Sequence, residues 1–193
     1  MHIGLSSVIR ANAAGANLRA IGSLSNVIRF TLFTKEGVAT PAQLKGGTIG
    51  ISSAGSESEA TLAVGLEKIG LTRADIKPVE IGTGRDRLNA VREGKVSAAS
   101  LNEPYRTQAL ELGMKPIVDL EQQRVQWVYS GLVCDASYIK ANRDTLLRFL
   151  RATVEGNYLA ISDPARGKAE LAKRLKIRSE EHTSELQSHS FIS

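Results

Sequence analysis

Hydrophobic and polar positions in residues 44–71 follow a pattern that predicts a strand, a turn and a helix. Thr48–Ile51 has the composition of a short buried strand, and the Ser and Gly residues after it are typical of a turn. From Ser56, apolar residues recur at helical spacing until Gly70. Ser56 and Glu59 also fit the S-x-x-E capping box.

Such a turn matters because it leaves backbone N–H groups at the carboxyl edge of a sheet. Open α/β sheets bind small molecules at that edge. An ordinary βα unit without a ligand explains the stretch equally well when it is considered alone.

Short strands and helices alternate along the rest of the chain, which predicts a mostly parallel α/β sheet covered on both faces. The predicted strands are Ile3–Leu5, Leu18–Ser23, Val27–Thr34, Lys77–Ile81, Val96–Leu101, Pro116–Leu120 and Gln126–Cys134. The predicted helices begin at Ser6 or Ser7, Thr40, Ser56, Gly84, Asn102, Asn142 and Pro164.

The composition is that of a chain able to bury a core, either as one large domain or as two small lobes. It has 193 residues, of which 42% are hydrophobic. No run approaches the roughly 18 apolar residues of a membrane span, and no signal-peptide pattern opens the sequence. The single Cys134 excludes an internal disulfide framework and a cysteine-rich zinc site.

The C-terminal segment differs from the rest of the chain in composition and periodicity. Arg178–Ser188, RSEEHTSELQS, matches one translated frame of a widely used sequencing adapter, so we interpret residues 178–193 as non-native read-through. This tail holds one Arg and three Glu, which leaves 24 basic and 17 acidic residues and a formal charge of +7. These charges are dispersed, with no basic run among aromatics, so we expect no nucleic-acid partner.

Histidine is nearly absent once the tail is set aside, because His2 is then the only one. One His and one Cys cannot build a histidine metal site, a Ser-His-Asp triad or a Cys-His pair within one chain. We therefore expect no metal, no cofactor and no catalytic residue.

Three segments, in order, carry a resemblance to a known family: TPAQLKGGTIGISSAGSESE, LNEPYRTQALELG and ASYIKANRDTLLRFLRATVEGNYLA. They resemble the nitrate/sulfonate/taurine and thiamine-precursor (NMT1/THI5-like) group of ABC-transporter solute-binding proteins, over about Ile3 to Ile177. The resemblance implies a type II periplasmic-binding-protein fold, with two α/β lobes, mixed sheets and the solute held in the cleft between them. Residues 35–125 would form the second lobe, and residues 1–34 and 126–177 the first lobe with the crossing strands.

Members of that family carry a secretion signal and a strand-helix-strand portion before the equivalent of Ile3. We therefore expect this chain to be a fragment with an incomplete first lobe, and Met1 to be an internal or miscalled start. The resemblance implies a parent protein that is periplasmic or a cell-surface lipoprotein. Its implied partners are a small solute and an ABC permease in the membrane, and we expect a monomer.

The candidate ligand-binding residues lie mainly where predicted strands end. Helix capping is the competing explanation for the Ser and Asn residues, solvation for Arg85, and a core or hinge position for Trp127. Glu57 and Glu59 offset the positive end of the helix that follows the turn, so anionic, neutral and cationic solutes all remain open. The candidates are Ser6, Ser7, Ser52, Ser53, Gly55, Ser56, Thr83, Gly84, Arg85, Asn102, Glu103 and Trp127.

A binding module that makes and breaks no covalent bond is the favoured function, with solute stabilising a closed form that a transporter recognises. One alternative is the effector-binding domain of a transcription regulator, which would need a helix-turn-helix upstream. A thiamine-pyrimidine biosynthetic enzyme is the other. The resembling enzymes need histidine and a cysteine-rich segment, whereas this chain outside the tail has only His2 and Cys134.

Overall fold

The computed structural model describes residues 2–175, so the predicted read-through tail lies outside the described residues. The chain divides into two compact units, one ending at Cys134 and the other beginning at Asp135. Among the described helices, none is both long enough and apolar enough to cross a membrane.

Strands and helices alternate through the first unit, as the sequence pattern predicts. The strands are β1 (His2–Ile3), β2 (Leu18–Ser23), β3 (Thr31–Thr34), β4 (Thr48–Ile51), β5 (Lys77–Glu80), β6 (Ala98–Leu101), β7 (Pro116–Asp119) and β8 (Gly131–Asp135). The helices of both units are α1 (Leu5–Ala13), α2 (Glu57–Lys68), α3 (Gly84–Arg92), α4 (Tyr105–Glu111), α5 (Ala136–Ala141), α6 (Arg143–Ser162) and α7 (Pro164–Leu175). Single 3-10 turns lie at Pro41–Leu44 and Arg73–Asp75.

Five strands form one mixed sheet in the order β5-β4-β6-β3-β7. β4 is parallel to β5 and β6, whereas β3 is antiparallel to β6 and β7. A mostly parallel sheet is thus found as predicted, with β4, β5, β6 and β7 running in one direction and β3 in the other. β4, β5, β6 and β7 all end at one edge, hereafter the carboxyl edge.

Both faces of this sheet are covered, because alternate residues of each strand pack into different hydrophobic clusters. Leu32 and Ala98 belong to the cluster that includes Leu62 and Leu66 of α2. Their chain neighbours Phe33 and Ala99 belong to the cluster of α3 and α4, with Leu88, Val91 and Ala109. The apolar spacing found in the sequence thus places α2 and α3 on opposite faces.

Two predicted long strands are shorter than expected. Within Val27–Thr34 only Thr31–Thr34 (β3) is strand, and within Gln126–Cys134 only Gly131–Cys134, which belongs to β8. Their outer parts meet at a single antiparallel bridge between Val27 and Gln126. After that bridge the two segments separate, because β3 joins the five-stranded sheet while β8 lies between β1 and β2 in a three-stranded sheet.

The start of α1 differs from its prediction. Gly4 is the N-cap residue, so Ser6 and Ser7 lie inside the helix and do not cap it. The N–H of Ser7 donates to the Gly4 carbonyl oxygen at 3.2 Å, which shows that the first turn is already formed there. Leu5, predicted as strand, is likewise helical.

The second unit, described by itself, consists of α5, α6 and α7. Asp135 caps α5, accepting a hydrogen bond from the Ser137 N–H at 2.8 Å. Asn142 precedes α6 as predicted, but its side-chain amide donates to the Tyr138 carbonyl oxygen and does not cap the helix. No residue of the 20-residue α6 is buried.

Candidate functional site

The turn between β4 and α2 is organised by a buried serine that the sequence analysis missed. Ser58 is 2% exposed. Its Oγ accepts the Ser52 N–H at 2.9 Å and lies 2.9 Å and 2.8 Å from the hydroxyl oxygens of Ser52 and Ser56. Ser58 precedes Leu62 by four residues and so shares its buried face, which is a signal available in the sequence.

Backbone N–H groups of this turn are less available to a ligand than the sequence pattern suggested. Besides that of Ser52, the N–H of Ala54 donates to Glu80 Oε1 at 3.1 Å, and the N–H of Gly55 donates to Glu59 Oε2 at 2.6 Å. The predicted capping box is therefore wrong. Ser56 is the N-cap residue, but its hydroxyl contacts Ser58, and Glu59 reaches back to Gly55 instead.

α1 lies against this turn and forms a cavity with it. Arg10 Nη1 donates to the Ala54 carbonyl oxygen at 3.3 Å. Gly55 has φ +67°, which favours glycine, and a Cβ there would lie 1.0 Å from Arg10 Nη1 and displace the guanidinium. The cavity has a volume of about 760 Å³ and brings together four predicted site residues, Ser7, Ser53, Gly55 and Ser56.

Glu57, which was not among the candidates, contacts two residues that were, Ser6 and Trp127. Its carboxylate accepts hydrogen bonds from the Ser6 N–H at 3.3 Å, from the Ser6 hydroxyl and from the Trp127 indole N–H. A Cβ at Gly4 would lie 2.3 Å from Glu57 Oε2, so this glycine makes room for the carboxylate. Glu57 thus connects α1 and α2 to the segment that leads into β8.

The predicted residues after β5 have mainly structural contacts. Thr83 caps α3 by accepting the Asp86 N–H at 3.3 Å. Gly84 packs against the Tyr105 ring, where an added Cβ would lie 2.2 Å from a ring carbon. Arg85 is exposed.

Arg87, two residues later, does reach the carboxyl edge. It is 4% exposed, and its Nε and Nη1 donate to the carbonyl oxygens of Ser100 at 2.9 Å and Gly82 at 2.6 Å. Among residues 2–175 it forms no ion pair with a carboxylate. Burial lowers the pKa of its guanidinium.

The sequence contains a signal for Arg87 that the analysis did not use. Arg87 lies four residues before Val91 and therefore shares its buried face, whereas Arg85 lies about 200° further round the helix.

After β6, one predicted residue faces a tyrosine and the other supports α4. Asn102 Nδ2 donates to the Tyr129 hydroxyl at 3.3 Å, and burial raises the pKa of Tyr129. Glu103 accepts the Thr107 N–H at 3.1 Å and pairs with Arg106 at 3.4 Å. Asn102 thus contacts Tyr129, while the carboxylate of Glu103 is already bound by residues of α4.

An ionic cluster lies beside Asn102 at the same edge. Arg106 contacts Asp119 at 2.7 Å and Glu121 at 3.9 Å, and Arg29 contacts Glu121 at 2.8 Å. Burial raises the pKa of Glu121. The positive charges of Arg29 and Arg106 lower it, but by less, so the pKa is raised overall. Burial lowers the pKa of Arg106, but its hydrogen bond to Asp119 and the surrounding carboxylates outweigh that effect, so the pKa is raised overall.

Two other features do not involve the predicted site. A second cavity of about 630 Å³ is lined by residues such as Lys35, Arg92 and Met114 and by none of the predicted residues.

Over the part of the chain that is described, no group of three or more His, Cys, Asp or Glu residues is placed to hold a metal ion.

Comparison with known proteins identifies the family. The model of the NMT1/THI5-like family matches residues 4–167. The chain belongs to this family. The predicted family resemblance and the α/β fold class with mixed sheets are thereby confirmed, with further support from solved structures.

Three relatives illustrate the range of the similarity. The riboflavin-binding protein RibY of Chloroflexus aurantiacus is 28% identical over 165 residues, which are 82% of this chain and 45% of RibY. The periplasmic aliphatic sulphonate binding protein SsuA of Escherichia coli is 26% identical with a TM-score of 0.77, and the match covers 96% of this chain and 64% of SsuA. The desulfurization enzyme DszB shares the fold, with 15% identity, a TM-score of 0.66 and coverage of 100% of this chain and 70% of DszB. The chain thus spans about half the length of the curated relative and about two thirds of these structures.

Proposed function

We propose that this chain is the greater part of the solute-binding component of an ABC importer, which binds a small solute at the carboxyl edge and delivers it to a membrane permease. The observation that carries the proposal is the cavity at this edge, which Ser7 and Arg10 of α1 share with Ser53, Gly55 and Ser56 of the turn. Membership of the NMT1/THI5-like family and the similarity to SsuA and RibY support it. The candidate solutes are sulfonates, nitrate, taurine-like compounds, thiamine-precursor pyrimidines and flavins. The parent protein would act in the periplasm or as a lipoprotein at the cell surface.

In this proposal residues 35–125 form one lobe of the binding protein, and the segments before and after them belong to the other lobe. Solute that contacts both α1 and the β4–α2 turn would stabilise the arrangement in which they lie close together. The contact of Glu57 with Ser6 supports this, because it holds α1 beside the start of α2.

We propose further that the solute leaves unchanged. The chain outside residues 178–193 has one histidine and one cysteine, and Cys134 is half-buried at the end of β8. Incubation of the protein with each solute that binds, followed by mass spectrometry, should recover the solute intact. A stoichiometric or catalytic loss of solute would favour an enzyme instead.

Trp127 provides a direct binding assay, because it is the only tryptophan of the chain and its indole contacts Glu57. The purified protein is titrated with ethanesulfonate, taurine, nitrate, riboflavin and an aminopyrimidine, and the emission of Trp127 is recorded. At least one class should give a saturable change, with calorimetry as an independent check. No saturable response by either method would contradict the proposed function.

Two variants of the turn locate the binding site. Ser53→Ala removes one hydroxyl of the cavity and should weaken binding by about 1 kcal/mol, the scale of one hydrogen bond. Gly55→Val should weaken it more, because the side chain would enter the cavity and displace Arg10. Ser97→Ala, at the amino end of β6, is the matched control. Wild-type binding by folded Ser53→Ala and Gly55→Val would place the solute elsewhere.

A further inference from the structure

The second cavity, hereafter the amino-edge cavity, lies at the edge of the five-stranded sheet opposite to the proposed solute site. Its walls come from the loop after β3, the start of β7 and the ends of α3 and α4. Because β3 is antiparallel to its neighbours, it ends at Thr34 on the edge where Pro116 begins β7. The volume of about 630 Å³ falls within the roughly 300–1,000 Å³ of ligand pockets.

The loop that forms one wall of this cavity is held by hydrogen bonds of the chain itself. Thr34 Oγ1 donates to the Val38 carbonyl oxygen at 2.7 Å, and the Val38 N–H donates to the Lys35 carbonyl oxygen at 3.3 Å. Gln43 Nε2 donates to the Gly37 carbonyl oxygen at 3.3 Å. The wall is therefore formed before anything binds.

The cavity has an apolar lining that is covered only in part. Val91 is fully buried, and Met114 and Ile117 are partly buried against the hydrophobic clusters of the two sheet faces. Leu112 lines the same cavity and is 53% exposed. A ligand with an apolar body would remove this surface from water, which is favourable.

Positive charge is in excess around this apolar lining, since three cations line the cavity with one acid: Lys35, Arg92, Lys115 and Glu36. Within residues 2–175 none of the three cationic side chains donates a hydrogen bond or forms an ion pair. Glu93, next to Arg92 in the chain, is bound by Lys95 at 2.6 Å. Lys95, and to a smaller extent Arg92, lower the pKa of Glu93.

Capping of the two helix ends does not occupy these cations. Lys and Arg side chains near a helix C-terminus often bind its last carbonyl oxygens. After α3, however, the Val91 carbonyl oxygen accepts the Gly94 N–H at 3.2 Å. After α4, the Leu110 carbonyl oxygen accepts the Gly113 N–H at 2.9 Å. Both helix ends still attract positive charge, but the hydrogen-bond donors of the cations are left free for a ligand.

We propose that the amino-edge cavity is a second ligand site, which takes a small amphipathic anion with an apolar body and one carboxylate. Lys35, Arg92 and Lys115 would bind the carboxylate, and the body would lie against Leu112 and Met114. The site is independent of the proposed solute site, because the two cavities share no residue.

Octanoate tests the apolar body and the charge together. Wild-type protein is titrated by calorimetry with octanoate, with the uncharged octanamide and with acetate, which lacks the apolar body. Octanoate should bind at least tenfold more tightly than either. Added salt should weaken the binding of octanoate but not that of octanamide. No binding of octanoate, or equal affinity for octanoate and octanamide, would overturn the proposal.

Two double variants with the same change of net charge locate the carboxylate. Arg92→Gln with Lys115→Gln should weaken octanoate binding tenfold or more. Lys68→Gln with Lys77→Gln is the control and should change it less than twofold, because neither lysine lines the cavity. All four side chains are exposed, so both proteins should fold. Equal effects of the two double variants would show that the carboxylate does not bind at this cavity.

A second measurement locates the apolar body in the wild-type protein. The chain has two methionines, Met1 and Met114, so labelling with ¹³C-methyl methionine gives two signals, which Met114→Leu assigns. Octanoate should shift the Met114 methyl resonance and leave the emission of Trp127 unchanged. An unmoved Met114 resonance at saturating octanoate would overturn the proposal. Binding to phosphatidylglycerol vesicles without binding of free octanoate would overturn it in favour of a lipid surface.

Discussion

The indole N–H of Trp127 donates a hydrogen bond to the carboxylate of Glu57, which lies 70 residues earlier in the chain. The same carboxylate accepts two hydrogen bonds from Ser6. Three segments that are distant in sequence therefore meet at one side chain. Removal of its charge has measurable consequences even without a solute.

Glu57→Gln should lower the free energy of unfolding by about 1–2 kcal/mol, because hydrogen bonds to a charged acceptor are stronger than neutral ones. It should also shift the emission of Trp127. Urea unfolding followed by that emission measures both effects. Glu67→Gln, at an exposed position of the same helix, is the control and should change neither. Equal stability of both variants would show that Glu57 makes no net contribution.

Ser58→Ala should destabilise the protein by about 1–3 kcal/mol, because it leaves the Ser52 N–H without its acceptor beside a buried side chain. Ser56→Ala removes only one of the hydroxyls that contact Ser58, so its cost should be smaller, below about 1 kcal/mol. Chemical denaturation of both variants provides the comparison. A larger loss in Ser56→Ala would mean that its hydroxyl, and not that of Ser58, organises the turn.

Glu121 should make stability depend on pH in a defined direction. Burial raises its pKa above the ordinary value of 4.5, so the folded state binds this proton more tightly than the unfolded state. The contribution of Glu121 to the free energy of unfolding is fully present below pH 4.5 and is lost as the pH rises through its pKa in the folded state.

Glu121→Gln tests that direction. The difference in unfolding free energy, wild type minus variant, should be largest below pH 4.5 and should fall as the pH increases. Urea unfolding of both proteins at a series of pH values measures this difference. The other titrating groups are the same in both proteins, so their contributions cancel. A difference that grows with pH would show that the ion pairs with Arg29 and Arg106 outweigh burial.

α6 should exchange its amide hydrogens before the five-stranded sheet does. None of its side chains is buried, whereas all four residues of β3 and of β6 are. Helical stability in proteins comes mainly from packing of an apolar face, so α6 should open at a lower free energy. Hydrogen exchange with mass spectrometry resolves the two regions. Equal protection of α6 and β6 would contradict this expectation.

Local pattern was sufficient to predict the central βα unit. The buried strand β4 and the spacing of Leu62 and Leu66 specify the strand and the helix from neighbouring residues alone. The antiparallel direction of β3 could not be predicted in this way, because it depends on pairing with strands far along the chain. Long-range side-chain contacts could not be predicted from local pattern either. The sequence indicated the charge of Glu57 near the helix start, but not its contacts with Ser6 and Trp127.

Arg85 and Arg87 differ in burial. Both arginines follow the same strand, and Arg85 was the candidate named from the sequence. Helical spacing places Arg87 with Val91 on the buried face, so the burial of Arg87 could have been predicted from the pattern. The partners of its guanidinium, the carbonyl oxygens of Gly82 and Ser100, could not, because they depend on the whole fold.

The position of β3 has a consequence for synthesis of the chain. Thr31 pairs with Leu101 on one side and with Asp119 on the other, so its nearest neighbour leaves the ribosome about 70 residues later. β4 and β5 pair over a short sequence separation and are complete well before that point. The apolar side chains of β3 must therefore wait, unpaired, for the second half of the sheet to be translated.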